Sequence, residues 1–150
     1  MNEISDFMEA DHSRLNTIFT NFRKIRDQNL EKSKVLFSEF SSDLRRHILW
    51  EEEIIFVLIG DKVKIKKGTS AGKTLSMLSM QHTQIIEFLD QINNSLRQGK
   101  IEIEFETWLL EILSQHNDLE ESIVYPLIDE VLNENEKEVV FQKMKNIKIL

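Results

Sequence analysis

The sequence predicts an all-α fold, an antiparallel up-down-up-down four-helix bundle followed by a short C-terminal helical tail. Three features carry this expectation. Only one proline and four glycines occur in 150 residues, so few breakers interrupt the chain. The long segments between them place apolar residues alternately three and four positions apart, which is the period of a helix face and not of a strand. The links are short, and short links set consecutive helices antiparallel.

The first helix is expected from about Ser5 to Arg26, with Met8, His12, Leu15, Phe19 and Phe22 on one face. Its histidine lies on the apolar stripe. The second runs from about Glu31 to Ile59 and aligns Phe37, Phe40, Leu44, His47, Glu51, Ile54 and Leu58, a heptad-like seam with His and Glu at its centre. Gly60 ends it, and DKVKIKKGTSAGK follows as a basic connection that breaks the periodicity. The third helix starts near Ser70 or Ala71 and carries Leu75, Leu78, His82, Ile85, Leu89, Ile92 and Leu96 on its stripe. After a link around Gly99, the fourth presents Phe105, Leu109, Ile112, His116, Glu120, Ile123 and Leu127. Pro126 lies inside it and is expected to kink or loosen the last turns, because an interior proline costs ~3 kcal/mol. From Glu134 an amphipathic tail with Val140, Phe141, Met144 and Ile147 is expected to cap one end of the bundle. The organisation expected is one domain over 1–150, with the bundle at about 5–132 and the tail helix at about 134–148.

Composition narrows the function. A chain of this length buries about 70% of its unfolded surface and needs no extra staple. Cysteine is absent, which excludes disulfides, zinc–cysteine sites and iron–sulfur clusters as intrinsic features. With 19 basic and 26 acidic residues the net charge is −7, which disfavours nucleic acid and anionic membrane surfaces. Small molecules, metals or protein partners are left. The opening residues MNEISDFMEADH have neither a basic n-region nor an apolar h-region. The run IIFVLI is far short of the ~20 residues of a membrane span, so a cytoplasmic location is expected.

Two stretches repeat one pattern, HILWEEEIIFVLI from His47 and HNDLEESIVYPLI from His116. The histidines are spaced to match, with 35 residues from His12 to His47 and 34 from His82 to His116. Each half therefore supplies one helix with a lone His and a following helix with His-x-x-x-Glu, and the halves can face one another with near two-fold symmetry. Four residues on a helix put Glu51 one turn from His47, and Glu120 one turn from His116, on the same face. By chance, all four histidines of the chain would fall on seam positions roughly once in 150 trials, since two of seven heptad positions form a seam. Ionisable groups on a seam are costly unless something neutralises them.

Four imidazoles and two carboxylates exceed what one tetrahedral zinc takes and suit two metal ions. Each ion would have two histidines, with Glu51 and Glu120 bridging. A bridging oxide or hydroxide would leave an octahedral ion one open position for a small molecule. Nitrogen and oxygen donors suit iron, manganese or zinc alike. Glu52, Glu53 and Glu121 are expected to be solvated or to accept the free N–H of a ligand histidine, and Glu87, one turn past His82, is a further candidate for that role. Phe19, Phe22, Phe37, Phe40 and Phe105 are expected to pack the core. Trp50, Trp108 and Tyr125 are assigned to helix packing, with the approach to the site as the alternative. The lysines at 62, 64, 66, 67 and 73 form a solvated loop or a partner-docking patch. The sequence carries no P-loop, nucleophilic triad or dinucleotide fingerprint, and it assigns no catalytic residue.

With these residues in place, the chain resembles the hemerythrin-like HHE cation-binding family over essentially residues 5 to 130. The carrying motifs are DH at 11–12, HILWEEEIIF at 47–56, QH at 81–82 and HNDLEESIVYP at 116–126. The resemblance implies a non-haem di-iron centre held by His12, His47, Glu51, His82, His116 and Glu120. Oxygen-carrying hemerythrins have a second histidine where this chain has Ile86, and an aspartate at a longer spacing where it has Glu120. The four-His, two-Glu set is similar instead to bacterial proteins implicated in repair of iron centres after nitric oxide or oxidative stress. The functional expectation is a di-iron protein that binds or reacts with NO, O2 or peroxide in iron handling or stress response. The alternatives are a regulatory module whose metal occupancy controls a protein partner, and an oxygen-binding hemerythrin.

Overall fold

The computed structural model describes residues 3–66 and 68–147. Lys67 of the basic connection and Lys148 at the expected end of the tail lie outside them. The elements are α1 (Ile4–Ile25), α2 (Leu30–Trp50), α3 (Phe56–Val63), α4 (Ser70–Arg97), α5 (Ile103–Leu119), α6 (Tyr125–Val131) and α7 (Glu134–Asn146). A π-helical turn at Glu51–Ile55 joins α2 to α3, and a second at Glu120–Val124 joins α5 to α6. The described residues thus form four long rods and a tail, with no strand among them.

Local chemistry sets the helix starts. Asn29 caps α2 by accepting from the Lys32 N–H at 3.1 Å, and Thr69 caps α4 by accepting from Gly72 at 3.1 Å. Asn133 and Glu136 form a reciprocal capping box at α7. Helix α1 has no cap of its own. Its Ile4 and Ser5 N–H groups donate to the Asp129 carboxylate at 2.7 and 3.0 Å, so α6 caps α1 from across the bundle. The rods close into a ring in which α1 packs on α2, α2 on α4, α4 on α5, and α6 on α1.

Gly60 does not end the second rod. The helix continues to Val63, and Lys64 takes the left-handed conformation (φ 51). The Ile65 N–H returns to the Gly60 carbonyl at 3.2 Å, and the Ile65 side chain packs on the core beneath. That apolar anchor, absent from a purely basic loop, lets the helix run past its glycine.

The core has two parts. Leu15, Phe19, Phe22, Phe37, Phe40 and Leu109, with their neighbours, fill one end. Ile4, Met8, Trp50, Ile55, Tyr125 and Ile128 fill the other, where Val140 and Met144 of α7 complete it. The Trp50 indole donates to the Met144 carbonyl at 3.0 Å, which ties the tail to the second rod. In every rod the histidine falls in the chain between residues of the two clusters, so a polar layer separates them. No helix among the described residues is long and apolar enough to cross a membrane.

Candidate metal centre

All six seam residues meet in that layer. His12, His47, Glu51, His82, His116 and Glu120 are buried, and both carboxylates are fully inaccessible. Two groups of four each bring one donor atom per side chain within 4.8 Å of one another. One is His12, His47, Glu51 and Glu120; the other is Glu51, His82, His116 and Glu120. Both carboxylates are common to the two groups, and the histidines divide two and two. Ring centroids are 4.7 Å apart for His12 and His47 and 4.5 Å for His82 and His116, so the duplicated sequence yields duplicated geometry.

The rings are aimed by acceptors on neighbouring helices. The His47 Nδ1–H donates to Asp11 Oδ2 at 2.7 Å, and that of His116 to Gln81 Oε1 at 2.8 Å. The His82 Nδ1–H donates to Glu52 at 3.1 Å, and Glu52 also accepts from Ser79 at 2.9 Å. A ring that donates through Nδ1 keeps the Nε2 lone pair for the centre of the bundle. Nε2 of His82 is 3.0 Å from Glu51, and that of His116 is 3.0 Å from Glu120. The pairing follows the pseudo-symmetry: the residue before each lone histidine serves the histidine of the next rod. Glu121 stands to His12 as Glu52 does to His82, but at 3.7 Å, beyond hydrogen-bonding distance. The His12 Nδ1 atom is left without a partner.

Glu52 takes the expected acceptor role and Glu53 is solvated, the other expectation for these glutamates, whereas the candidate Glu87 is exposed. Sequence reasoning gives Asp11 and Gln81 no role beyond their place in DH and QH. The available signal was their position immediately before a seam histidine. Asp11 is itself held by Arg14 at 2.9 and 3.0 Å, and Arg14 by Asp43 at 2.8 Å, so a chain of charges runs from the surface to His47. Trp108 is exposed, and Trp50 packs the core. Another seam assignment also shifts: Phe105 is only partly buried, while Glu106 beside it is buried and pairs with Arg26 at 2.9 Å.

Tyr125 is not a packing residue alone. Its hydroxyl donates to Glu51 at 2.6 Å and lies 3.1 Å from Glu120, 3.1 Å from His12 and 3.2 Å from His47. The π turns explain why periodicity misplaces it. Each begins at a shared glutamate, and the Phe56 and Tyr125 N–H groups bond the Glu51 and Glu120 carbonyls five residues back. One extra residue per turn rotates everything downstream. Val124 and Ile128 become buried, at 1% and 0% exposure, while Ile123 is 46% exposed. Ile55 and Ile59 are likewise fully buried, and Leu58 is only partly so. Pro126 falls in the first turn of α6, where its missing N–H is tolerated, so the expected kink is a π turn placed before the proline.

Without a metal ion, protonated imidazoles meet the charge of the two buried carboxylates. Burial pulls the His47 imidazole down, but Glu51 and the bond to Asp11 outweigh it and hold it up at about 10. His82 is likewise held at about 11, by Glu120 and Glu51 against burial. Burial raises the Tyr125 phenol well above its ordinary value, and the two carboxylates add to this. Glu120 Oε2 is buried 3.0 Å from His116 Nε2 but accepts no hydrogen bond, because His116 spends its N–H on Gln81. Two inaccessible carboxylates cost several kcal/mol each unless cations meet them. Nε2 lone pairs aimed inward, shared carboxylates and an orphaned oxygen fit divalent or trivalent ions bound through nitrogen and oxygen.

A cleft of about 480 Å³ lies mainly between α1 and α5, with Phe40 and Leu44 of α2 also lining it, and includes His12. Phe19, Phe40, Leu44 and Leu110 form its apolar lining, and Ser13, Asn117 and Glu121 are among its polar residues.

Fold and site together define a four-helix bundle with a buried histidine–carboxylate cluster of metal-binding character. The hemerythrin HHE cation-binding domain model matches residues 3–128, and the chain belongs to that family. Metal binding, typically of iron, is the property the family brings. No curated protein and no solved structure matches the chain.

Proposed function

We propose that this chain is a non-haem di-iron protein that binds or reacts with NO, O2 or peroxide, in iron handling or in the response to nitrosative or oxidative stress. One ion is held by His12 and His47, the other by His82 and His116, and Glu51 and Glu120 span both. The observation that carries the reading is the sharing of both buried carboxylates by two histidine pairs. Residues 1–150 act as one domain, with α7 closing one end of the bundle, and the setting proposed is cytoplasmic.

When bound, the iron pair supplies redox chemistry and open coordination positions for a small ligand. The protein does the rest. Asp11, Glu52 and Gln81 fix the imidazole tautomers, the flanking apolar clusters exclude bulk water, and the α1–α5 cleft admits a small molecule to the side of His12. Ile86 is partly buried beside the core cluster, and an aliphatic side chain supplies no donor there. The centre therefore has four histidines only.

The test is exposure of the anaerobic, iron-loaded, reduced protein to NO, O2 and hydrogen peroxide in turn, followed by absorption spectroscopy. The reading expects a change of the iron spectrum with at least one of the three. An unchanged spectrum with all three would overturn it.

A further inference from the structure

We propose that the phenol oxygen of Tyr125 is a further ligand to the ion held between His12 and His47, which makes the two halves of the centre chemically unequal. The inference rests on the two-metal reading above and adds a residue to it.

The phenol oxygen lies within 3.2 Å of one donor atom from each of His12, His47, Glu51 and Glu120. An ion that takes those four donors at about 2.0–2.2 Å cannot enter without meeting that oxygen. Retreat is blocked, since Tyr125 is fully buried and belongs to the apolar cluster beneath the centre. The π turn at Glu120–Val124 brings the ring to this place, as its hydrogen bond from the Tyr125 N–H to the Glu120 carbonyl shows. Tyrosine oxygen is a competent iron ligand in other proteins. Binding breaks the phenol O–H bond and forms a metal–oxygen bond; the proton leaves to solvent and no electron moves.

The duplicated sequence supplies a built-in comparison. Phe56 occupies the matching place in the other half and stacks on His82, with centroids 5.7 Å apart and planes at 8°. It has no oxygen to offer, so the His82–His116 ion lacks this ligand. The halves differ at the acceptors too, with Asp11 behind His47 and Gln81 behind His116.

Tyr125 is the only tyrosine in the chain, so any tyrosinate signal from the iron centre is its own. The experiment is resonance Raman spectroscopy of the iron-loaded, oxidised protein, excited in the visible, with iron content measured on the same samples. Wild type is expected to show tyrosinate ring modes enhanced through a phenolate-to-iron charge-transfer band. Tyr125→Phe, which mirrors Phe56, is expected to lose both band and modes. Iron-loaded wild type without tyrosinate modes would overturn the proposal while leaving the two-metal reading intact. Retention of the modes in Tyr125→Phe would also overturn it. Wild type that takes up no iron would overturn the two-metal reading and the ligand assignment with it.

Discussion

His47 receives its orientation from outside the cluster. Asp11 accepts its Nδ1–H at 2.7 Å, and Arg14 holds Asp11 in turn; Glu52 and Gln81 do the same for His82 and His116. Acceptors of this kind are worth about 10–100-fold in metal affinity. Asp11→Ala and Glu52→Ala should each weaken iron binding by about that factor in a chelator competition, whereas Glu53→Ala, at an exposed position, should leave it unchanged. Removing a proposed ligand is more severe: His116→Ala or Glu51→Ala should lose most bound metal and lower the melting temperature, and full metal retention in either would mean that the ligand set is wrong. These six residues were legible in the sequence because an ionisable group on a seam breaks the apolar pattern. Asp11 and Gln81 were not, since an acceptor that reaches to another helix leaves no periodic trace in its own. Tyr125 was hidden for a further reason, which belongs to the helix that carries it.

A constant helical period places every residue after Glu51 or Glu120 about one position out of phase. The π turns at these glutamates insert that residue, as single π turns often do at functional sites. The burial of Val124 and Ile128 and the exposure of Ile123 record the change of phase. Before Glu51 the seam follows the sequence through Phe37, Phe40 and Leu44, whereas before Glu120 Leu109 is buried but Phe105 and Ile112 only partly so. In α1 and α4, which contain no π turn, the sets from Met8 to Phe22 and from Leu78 to Leu96 are buried, with Leu75 only partly so. Helix existence and direction were thus legible, and the local register at the site was not, because hydrophobic spacing cannot signal one extra residue within a turn. Pro126 provides the check at this scale. An interior proline in a regular helix costs ~3 kcal/mol, but here the π turn precedes it and it sits in the first turn of α6. Pro126→Ala should therefore change unfolding free energy by less than about 1 kcal/mol, measured by denaturant titration. A gain near the full interior-proline cost would show that the turn does not accommodate the ring.

At the scale of the whole molecule, the polar layer links all four rods, so the charge state of the centre is coupled to folding. In the metal-free protein, His47 is held at about 10 and His82 at about 11, against an ordinary value of 6.5. Burial lowers both, and the surrounding carboxylates more than offset it. Because the folded values lie above the unfolded one, this contribution is complete below about pH 6.5 and is lost as pH rises through about 10 and 11. Metal binding has the opposite sign, since the ion must displace those protons, and its apparent affinity should rise with pH. Melting temperatures of metal-free protein should accordingly fall between pH 7 and 10 while iron uptake strengthens; a metal-free protein that gains stability over that range would contradict the charge assignment. The central claim is that two histidine pairs share two carboxylates around a pair of irons. Iron analysis with Mössbauer spectroscopy, on protein produced with ample iron, purified anaerobically and then oxidised, tests it most directly. The account predicts about two irons per chain as a spin-coupled ferric pair. Zinc alone, or a single uncoupled iron, would contradict it.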